Sequence, residues 1–314
     1  MTAILEVRGL TKKYGDFTAV NEVSFDVQEG EIFSLLGPNG AGKTTTISVL
    51  STLYAPTSGE VTVGGHSVTR QPMQVRQMIG VVPQEIALYE DLTARENLAF
   101  WGQMYGLGGR PLEKRMDEVL EQIGLTDKAK NRVRTYSGGM KRRVNIGVGL
   151  LHKPRLLFMD EPTVGIDPQS RRAILDTVKE LNRQGMTVLY TTHYMEEAQE
   201  LSDRVGIIDH GELIALGTQK ELTRQVGEVE TLVLHLGEQE DPAPLAAALE
   251  QVPGVKEAEA TDHQISVICP EAEEVLAGVV AKANERGIKI HSIDIREPNL
   301  EAVFLQLTGR ALRD

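Results

Sequence analysis

The chain has a single cysteine, Cys269, among 314 residues, so an internal disulfide framework is excluded. It also lacks an uninterrupted apolar run of the roughly 18 residues that a membrane-crossing helix needs. Any work at a membrane is therefore expected from outside the bilayer, through a spanning partner. The opening MTAILEVRGLTKKYGD has no apolar stretch of the secretion-signal kind, and the expected compartment is the cytosol. Basic residues are in deficit: 33 Lys and Arg face 45 Asp and Glu, a net charge of −12. A general nucleic-acid binder must neutralise phosphates over a broad face, so this balance argues against one and makes any phosphate site local. No internal repeat or low-complexity tract is visible. What is present is ordinary globular composition, 41% hydrophobic and 25% charged, over a length that allows about two domains.

Charge is unevenly spread. Residues 228–314 carry 7 basic and 17 acidic groups, so −10 of the −12 lies there. This shift, beside the polar stretch 223–230, sets the expected boundary between domains 1–225 and 226–314. In the first domain the short apolar runs IFSLLG (32–37), RLLFMDE (155–161) and MTVLYTTH (186–193) read as strands buried on both faces. Helical stretches follow each run, which implies a mostly parallel sheet covered by helices, an α/β fold. The opening segment alternates apolar and polar residues, with turns at Gly15 and Gly30, and reads as an antiparallel β layer. The second domain reads strand (231–236), helix (244–252), strand (255–260), strand (264–269), helix (271–286) and strand (288–295), the βαββαβ order of ferredoxin-like α+β domains. A last helix follows, with Leu300, Val303, Phe304 and Leu307 at helical spacing and Gly309 placed to cap it.

The chemistry concentrates in the first domain. Gly37, Pro38, Asn39, Gly40, Ala41, Gly42, Lys43, Thr44 and Thr45 follow an apolar strand and precede a helical pattern, the context that a G-x-x-x-x-G-K-[ST] phosphate loop requires. The glycines let backbone N–H groups turn towards phosphate oxygens, Lys43 reaches the β and γ phosphates, and Thr44 offers its hydroxyl to Mg²⁺. Asp160 and Glu161 end a buried strand, the edge at which ligands gather in such sheets. Asp160 would hold Mg²⁺ and Glu161 would orient or deprotonate an attacking water; alternatively, the two are a solvated strand-end pair. Ser137, Gly138 and Gly139 precede an apolar helix. Ser137 can simply cap that helix, or the helix N-terminus can receive the γ-phosphate of a nucleotide presented by another subunit. His193 at the end of TTH could donate to the γ-phosphate, although a histidine there can equally be structural.

These segments, in this order, resemble the ATP-binding cassette (ABC) family: the Walker A loop at 37–45, Gln84 in VVPQE, the signature YSGGM, the Walker B strand LLFMDEP, the D-loop Gly165-Ile166-Asp167 and the switch His193. The likeness covers roughly residues 4–225. It implies a P-loop NTPase cassette with an antiparallel β subdomain and a helical subdomain, binding ATP and Mg²⁺. It further implies two copies closing head to tail, so that Ser137 and Gly139 of one complete the site built by Lys43, Thr44 and Glu161 of the other, near Asp167. Tyr14 would stack on adenine, and Gln84 would touch Mg²⁺ or the water and pass closure to a membrane partner.

Tyr136 and Met140 depart from the usual Leu and Gln of the signature, and VGID replaces the usual Ser-Ala-Leu-Asp. With ALYEDLTARENLAFWGQMYGL and the ending EPNLEAVFLQLTG, the chain is similar to bacterial drug-resistance exporters of the daunorubicin type. The expected function is ATP hydrolysis that energises a separate permease from the inner face of the cell membrane, exporting a drug, lipophilic compound or polysaccharide. A soluble cassette ATPase acting on ribosomes or nucleic acid is the main alternative; the chain lacks the second cassette or long coiled-coil insertion usual in that group, and its acidity suits a phosphate-rich partner poorly. An import ATPase with a regulatory tail is the third reading, against which the βαββαβ tail stands.

Overall fold

The computed structural model describes residues 2–225, 230–237, 241–296 and 300–308. They form two compact units that divide between Thr218 and Gln219.

The first unit opens with β1 (Ala3–Tyr14), β2 (Phe17–Gln28), β3 (Ile32–Leu36), α1 (Lys43–Leu50), β4 (Ser58–Val63) and β5 (His66–Ser67). It continues with α2 (Pro72–Met78), β6 (Ile79–Val82), α3 (Ala94–Met104), α4 (Gly109–Gln122), α5 (Gly138–Leu150) and β7 (Leu156–Asp160). It closes with α6 (Pro168–Arg183), β8 (Thr187–Thr192), α7 (Met195–Leu201), β9 (Arg204–Asp209) and β10 (Glu212–Gly217). As expected from the alternating opening, β2-β1-β4-β5 form an antiparallel sheet. The three apolar runs become β3, β7 and β8 in a second sheet of order β10-β9-β3-β8-β7-β6, parallel apart from the β9–β10 pair.

Every residue of β3, β7 and β8 is buried, because this sheet divides two apolar cores. Leu157, Met159, Val188 and Tyr190 point into the core that contains residues of α3, α4, α5 and α6. Their sequence neighbours Leu156, Phe158 and Leu189 point the other way, into the core shared with α1 and the antiparallel sheet. The period-2 alternation of a strand thus distributes a continuous apolar run between two faces.

Helix starts are chemically marked. Thr93 and Glu96 form a reciprocal capping box on α3, Ser137 Oγ accepts from Met140 N to cap α5, and Asp167 accepts from Ser170 N ahead of Pro168 at the start of α6.

The second unit contains α8 (Gln219–Gln225), β11 (Glu230–Leu236), α9 (Ala243–Leu249), β12 (Glu257–Thr261), β13 (Gln264–Cys269), α10 (Ala272–Glu285), β14 (Ile290–Arg296) and α11 (Leu300–Thr308). Its strands pair antiparallel in the order β12-β13-β11-β14, which is the ferredoxin-like arrangement. Leu232, Leu234, Ile265 and Val267 from the central strands pack with Leu245 and Leu249 of α9 and Val275 and Val279 of α10. On α11, Leu300, Val303 and Phe304 are buried whereas Leu307 is 43% exposed, and the helix lies against α8. The expected cap Gly309 and residues 226–229 of the expected linker lie outside the described residues.

Candidate active site

The turn from β3 into α1 is the phosphate loop. Gly40 and Gly42 have φ of 81° and 103°, in the left-handed region that favours glycine, and a Cβ on Gly42 would come within 2.6 Å of Ala19 O. Gly42 caps α1 without a side-chain bond, so the first N–H groups of the helix keep their donors for a ligand. A cavity of about 300 Å³ opens there, lined by Asn39, Gly40, Gly42, Lys43, Thr44 and Thr45, together with Gln84, Glu161, Phe17 and Ala19.

Glu161 is the centre of this geometry. Its carboxylate is 5% exposed; Oε1 lies 2.8 Å from Lys43 Nζ, and Oε2 lies 3.3 Å from His193 Nδ1. The Gln84 amide donates to Oε2 at 3.4 Å. Lys43 Nζ also donates to Gly37 O at 2.6 Å and Pro38 O at 2.9 Å, so the ammonium is held by one ion pair and two backbone carbonyls. Glu161 has a φ of 43°, a conformation costing a non-glycine residue roughly 1–3 kcal/mol. Thr191 holds it there, accepting from Glu161 N at 3.0 Å through Oγ1 and at 3.2 Å through O.

Thr191 Oγ1 also donates to Asp160 Oδ1 at 2.7 Å, so a single hydroxyl sets both carboxylates. Asp160 is almost fully buried, and this desolvation pushes its carboxyl above the ordinary carboxylate range, opposed by hydrogen bonds from Thr191 and Thr44. A buried carboxylate beside a threonine hydroxyl is a hard-oxygen pair suited to Mg²⁺. Among the described residues no cluster of three His, Cys, Asp or Glu is suited to a metal, so the remaining ligands of such an ion would come from phosphate and water.

Other expected site residues lie apart from the cavity lining. Tyr14, 44% exposed, meets Tyr54 edge-on at 6.1 Å and lies under Lys12 at 5.1 Å; it is Phe17, 67% exposed, that lines the cavity. Ser137 caps α5. Gly139 packs so closely on α6 that a Cβ would stand 2.2 Å from Ser170 Cβ, and Gly138 faces Ile166 of the D-loop. Asp167 caps α6.

Sequence reasoning missed Thr191, Phe17 and a polar knot behind His193. There Glu197, 2% exposed, accepts from Thr163 Oγ1 at 2.7 Å and from Tyr190 Oη and Thr192 Oγ1, both at 2.9 Å. Burial raises the Tyr190 hydroxyl well above its usual pKa and keeps it a donor. Arg171 approaches Glu197 at 3.7 Å and stacks over Tyr194 at 4.3 Å, so the knot grips both neighbours of His193. Nothing in MEEAQEL marks which of its glutamates is buried, so the sequence carried no signal for it.

A phosphate loop between a buried parallel strand and a helix, with two carboxylates at the end of β7, the next strand but one in the same sheet, defines a P-loop nucleotide hydrolase. The chain belongs to the ABC transporter family and is an ATP-binding cassette ATPase. Residues 20–164 match the family model for the ABC transporter, and residues 217–308 match that for the C-terminal domain of DrrA1-3-like ATP-binding proteins. The chain is 51% identical to the linearmycin resistance ATP-binding protein LnrL of Bacillus subtilis, over 99% of this chain and 100% of LnrL. It is 41% identical to the daunorubicin resistance ATP-binding protein DrrA3 of Streptomyces coeruleorubidus, over 97% and 96%. Among solved structures, a dimeric ATP-binding cassette in a post-hydrolysis state with ADP and Pi matches at 28% identity and a TM-score of 0.62, covering 68% of this chain and 98% of that one.

Proposed function

We propose that this chain is the ATP-hydrolysing subunit of an export system, driving a separate membrane permease that moves a drug, lipophilic compound or polysaccharide. The carrying observation is the convergence of Lys43, Gln84 and His193 on the buried Glu161 carboxylate beside the phosphate loop. When ATP is bound, the loop N–H groups and Lys43 hold its β and γ phosphates. Lys43 then exchanges the Glu161 carboxylate for phosphate oxygen, and Glu161 is free to take a proton from the attacking water. Gln84 orients that water, and His193 donates to the γ-phosphate. Mg²⁺ supplies charge neutralisation on the phosphates, with Thr44, Asp160 and Gln84 as its protein partners, directly or through water. Phe17, which lines the cavity, offers an aromatic face to the adenine, with Tyr14 three residues before it as the alternative.

Two copies act head to tail, with Ser137, Gly138, Gly139 and Asp167 of one completing the phosphate site of the other. The dimeric cassette among the similar solved structures supports this reading. Among the described residues no helix is long and apolar enough to cross a membrane. We take the permease to be a separate chain and the working place to be the inner face of the cell membrane, a reading that the full-length likeness to ATP-binding proteins of resistance systems favours. Full-length likeness to two drug-resistance ATP-binding proteins favours export over action on ribosomes or nucleic acid. Residues 1–225 would carry the ATPase, and residues 226–314 an accessory domain that helps hold two copies together. The test is a strain deleted for this chain: drug export should return with the wild-type sequence and not with Lys43→Ala. Equal return with both would refute the reading.

A further inference from the structure

The segment between β6 and α3 carries Gln84 and has no helix or strand of its own, so its backbone polar groups need partners from elsewhere. Two buried polar side chains of α5 supply them. Arg142, 3% exposed, donates to Pro83 O at 2.7 Å and to Gln84 O at 2.5 Å. One turn on, Asn145, 2% exposed, accepts from Ala87 N at 3.3 Å and reaches Glu85 O at 3.5 Å. Gln84 itself is exposed, so the loop is pinned from beneath while its amide reaches over to Glu161. Burying a guanidinium against two neutral carbonyls is expensive, and burial lowers the pKa of Arg142. An apolar side chain would fill the same space at lower cost, so what Arg142 supplies is geometry: its planar fork spans two successive carbonyls and fixes the direction of the chain at Gln84.

We infer that Arg142, supported by Asn145, is a positioning residue for ATP hydrolysis: it ties the backbone of Gln84 to α5 and so sets the approach of the Gln84 amide to Glu161 and the attacking water. The inference rests on the proposed role of Gln84. It also links two parts of the site, because α5 is capped by Ser137, the residue expected to meet the partner copy's nucleotide. A shift of α5 would carry Gln84 with it.

The test is a double-mutant cycle on the full-length chain, reading ATP Kd and kcat separately. Arg142→Met keeps an unbranched side chain and removes the fork. A misplacement near 1 Å can cost a factor of 10², so kcat should fall roughly 10- to 100-fold with ATP Kd within about twofold. In a Gln84→Ala background the same change should lower kcat by less than about twofold, because the group it positions is gone. An equal fold-loss in both backgrounds overturns the inference, as does a wild-type kcat for Arg142→Met beside a slow Gln84→Ala. A Gln84→Ala chain with wild-type kcat overturns the role of Gln84 and the inference with it. Should Arg142→Met fail to fold, Arg142→Lys, which keeps the cation but cannot span both carbonyls, takes its place with the same non-additivity required.

Discussion

Replacing Glu161 with glutamine separates catalysis from binding in a way the structure makes quantitative. In the protein, Lys43 and Glu161 are 3% and 5% exposed and paired at 2.8 Å, so phosphate must displace a buried, charge-assisted bond before Lys43 can hold it. A hydrogen bond to a charged group contributes about 1.5–3 kcal/mol net, and exchanging the ion pair for an ammonium–amide contact, which keeps one charge of the two, moves it from the upper towards the lower end of that range, so glutamine releases Lys43 more cheaply by about 1–1.5 kcal/mol. At 1.4 kcal/mol per factor of ten, ATP affinity should tighten about tenfold. The amide cannot accept the proton of the attacking water, so kcat should fall by roughly 10²–10⁴. Equilibrium nucleotide binding and steady-state phosphate release measure the two effects independently. A near-wild-type kcat would refute Glu161 as the base; weaker ATP binding would refute the exchange of partners by Lys43.

Two further outcomes follow from burial and from the division of the chain. Because the folded state raises the pKa of Asp160 above its ordinary value of 3.8, the native protein binds the extra proton more readily, and stability is lost as pH rises through the folded pKa. Without nucleotide or Mg²⁺, Asp160→Asn should therefore have a higher Tm than wild type at neutral pH, the gap closing as pH falls towards 4, while Mg²⁺-dependent hydrolysis is lost; a lower Tm at pH 7 would contradict this. A chain ending at Thr218, where the compact units divide, should fold and bind ATP with wild-type affinity yet dimerise or couple to the permease more weakly, as read by nucleotide titration and sedimentation.

The parts of this molecule legible in sequence were those written by local chemistry. Buried-strand runs, the glycine spacing of the phosphate loop and the cap Ser137 depend on neighbours within a few residues. Arg142 and Asn145 were illegible because polar residues three apart on a helix acquire meaning only from the loop that crosses them. Thr191 was hidden in the same way: its hydroxyl matters because β7 and β8 are adjacent in the sheet, which brings it to Asp160 and Glu161. Phe17 lies three residues beyond Tyr14 in a stretch where either aromatic could face the cavity, and only the turn between β1 and β2 decides which does. The last helix showed an apolar stripe whose covering surface no periodicity could name, and α8 proved to be among its neighbours.

The most direct test of the shared ATP site is the activity of Ser137→Arg alone and in an equal mixture with Lys43→Ala. Each variant should be inactive by itself, since each homodimer lacks one half of both sites. In the mixture, half the dimers would hold one intact composite site, so activity should return to about a quarter of the wild-type rate if a single site can turn over. Wild-type hydrolysis by Ser137→Arg alone would contradict the account, because no second copy would then be needed to complete the site around Lys43 and Glu161.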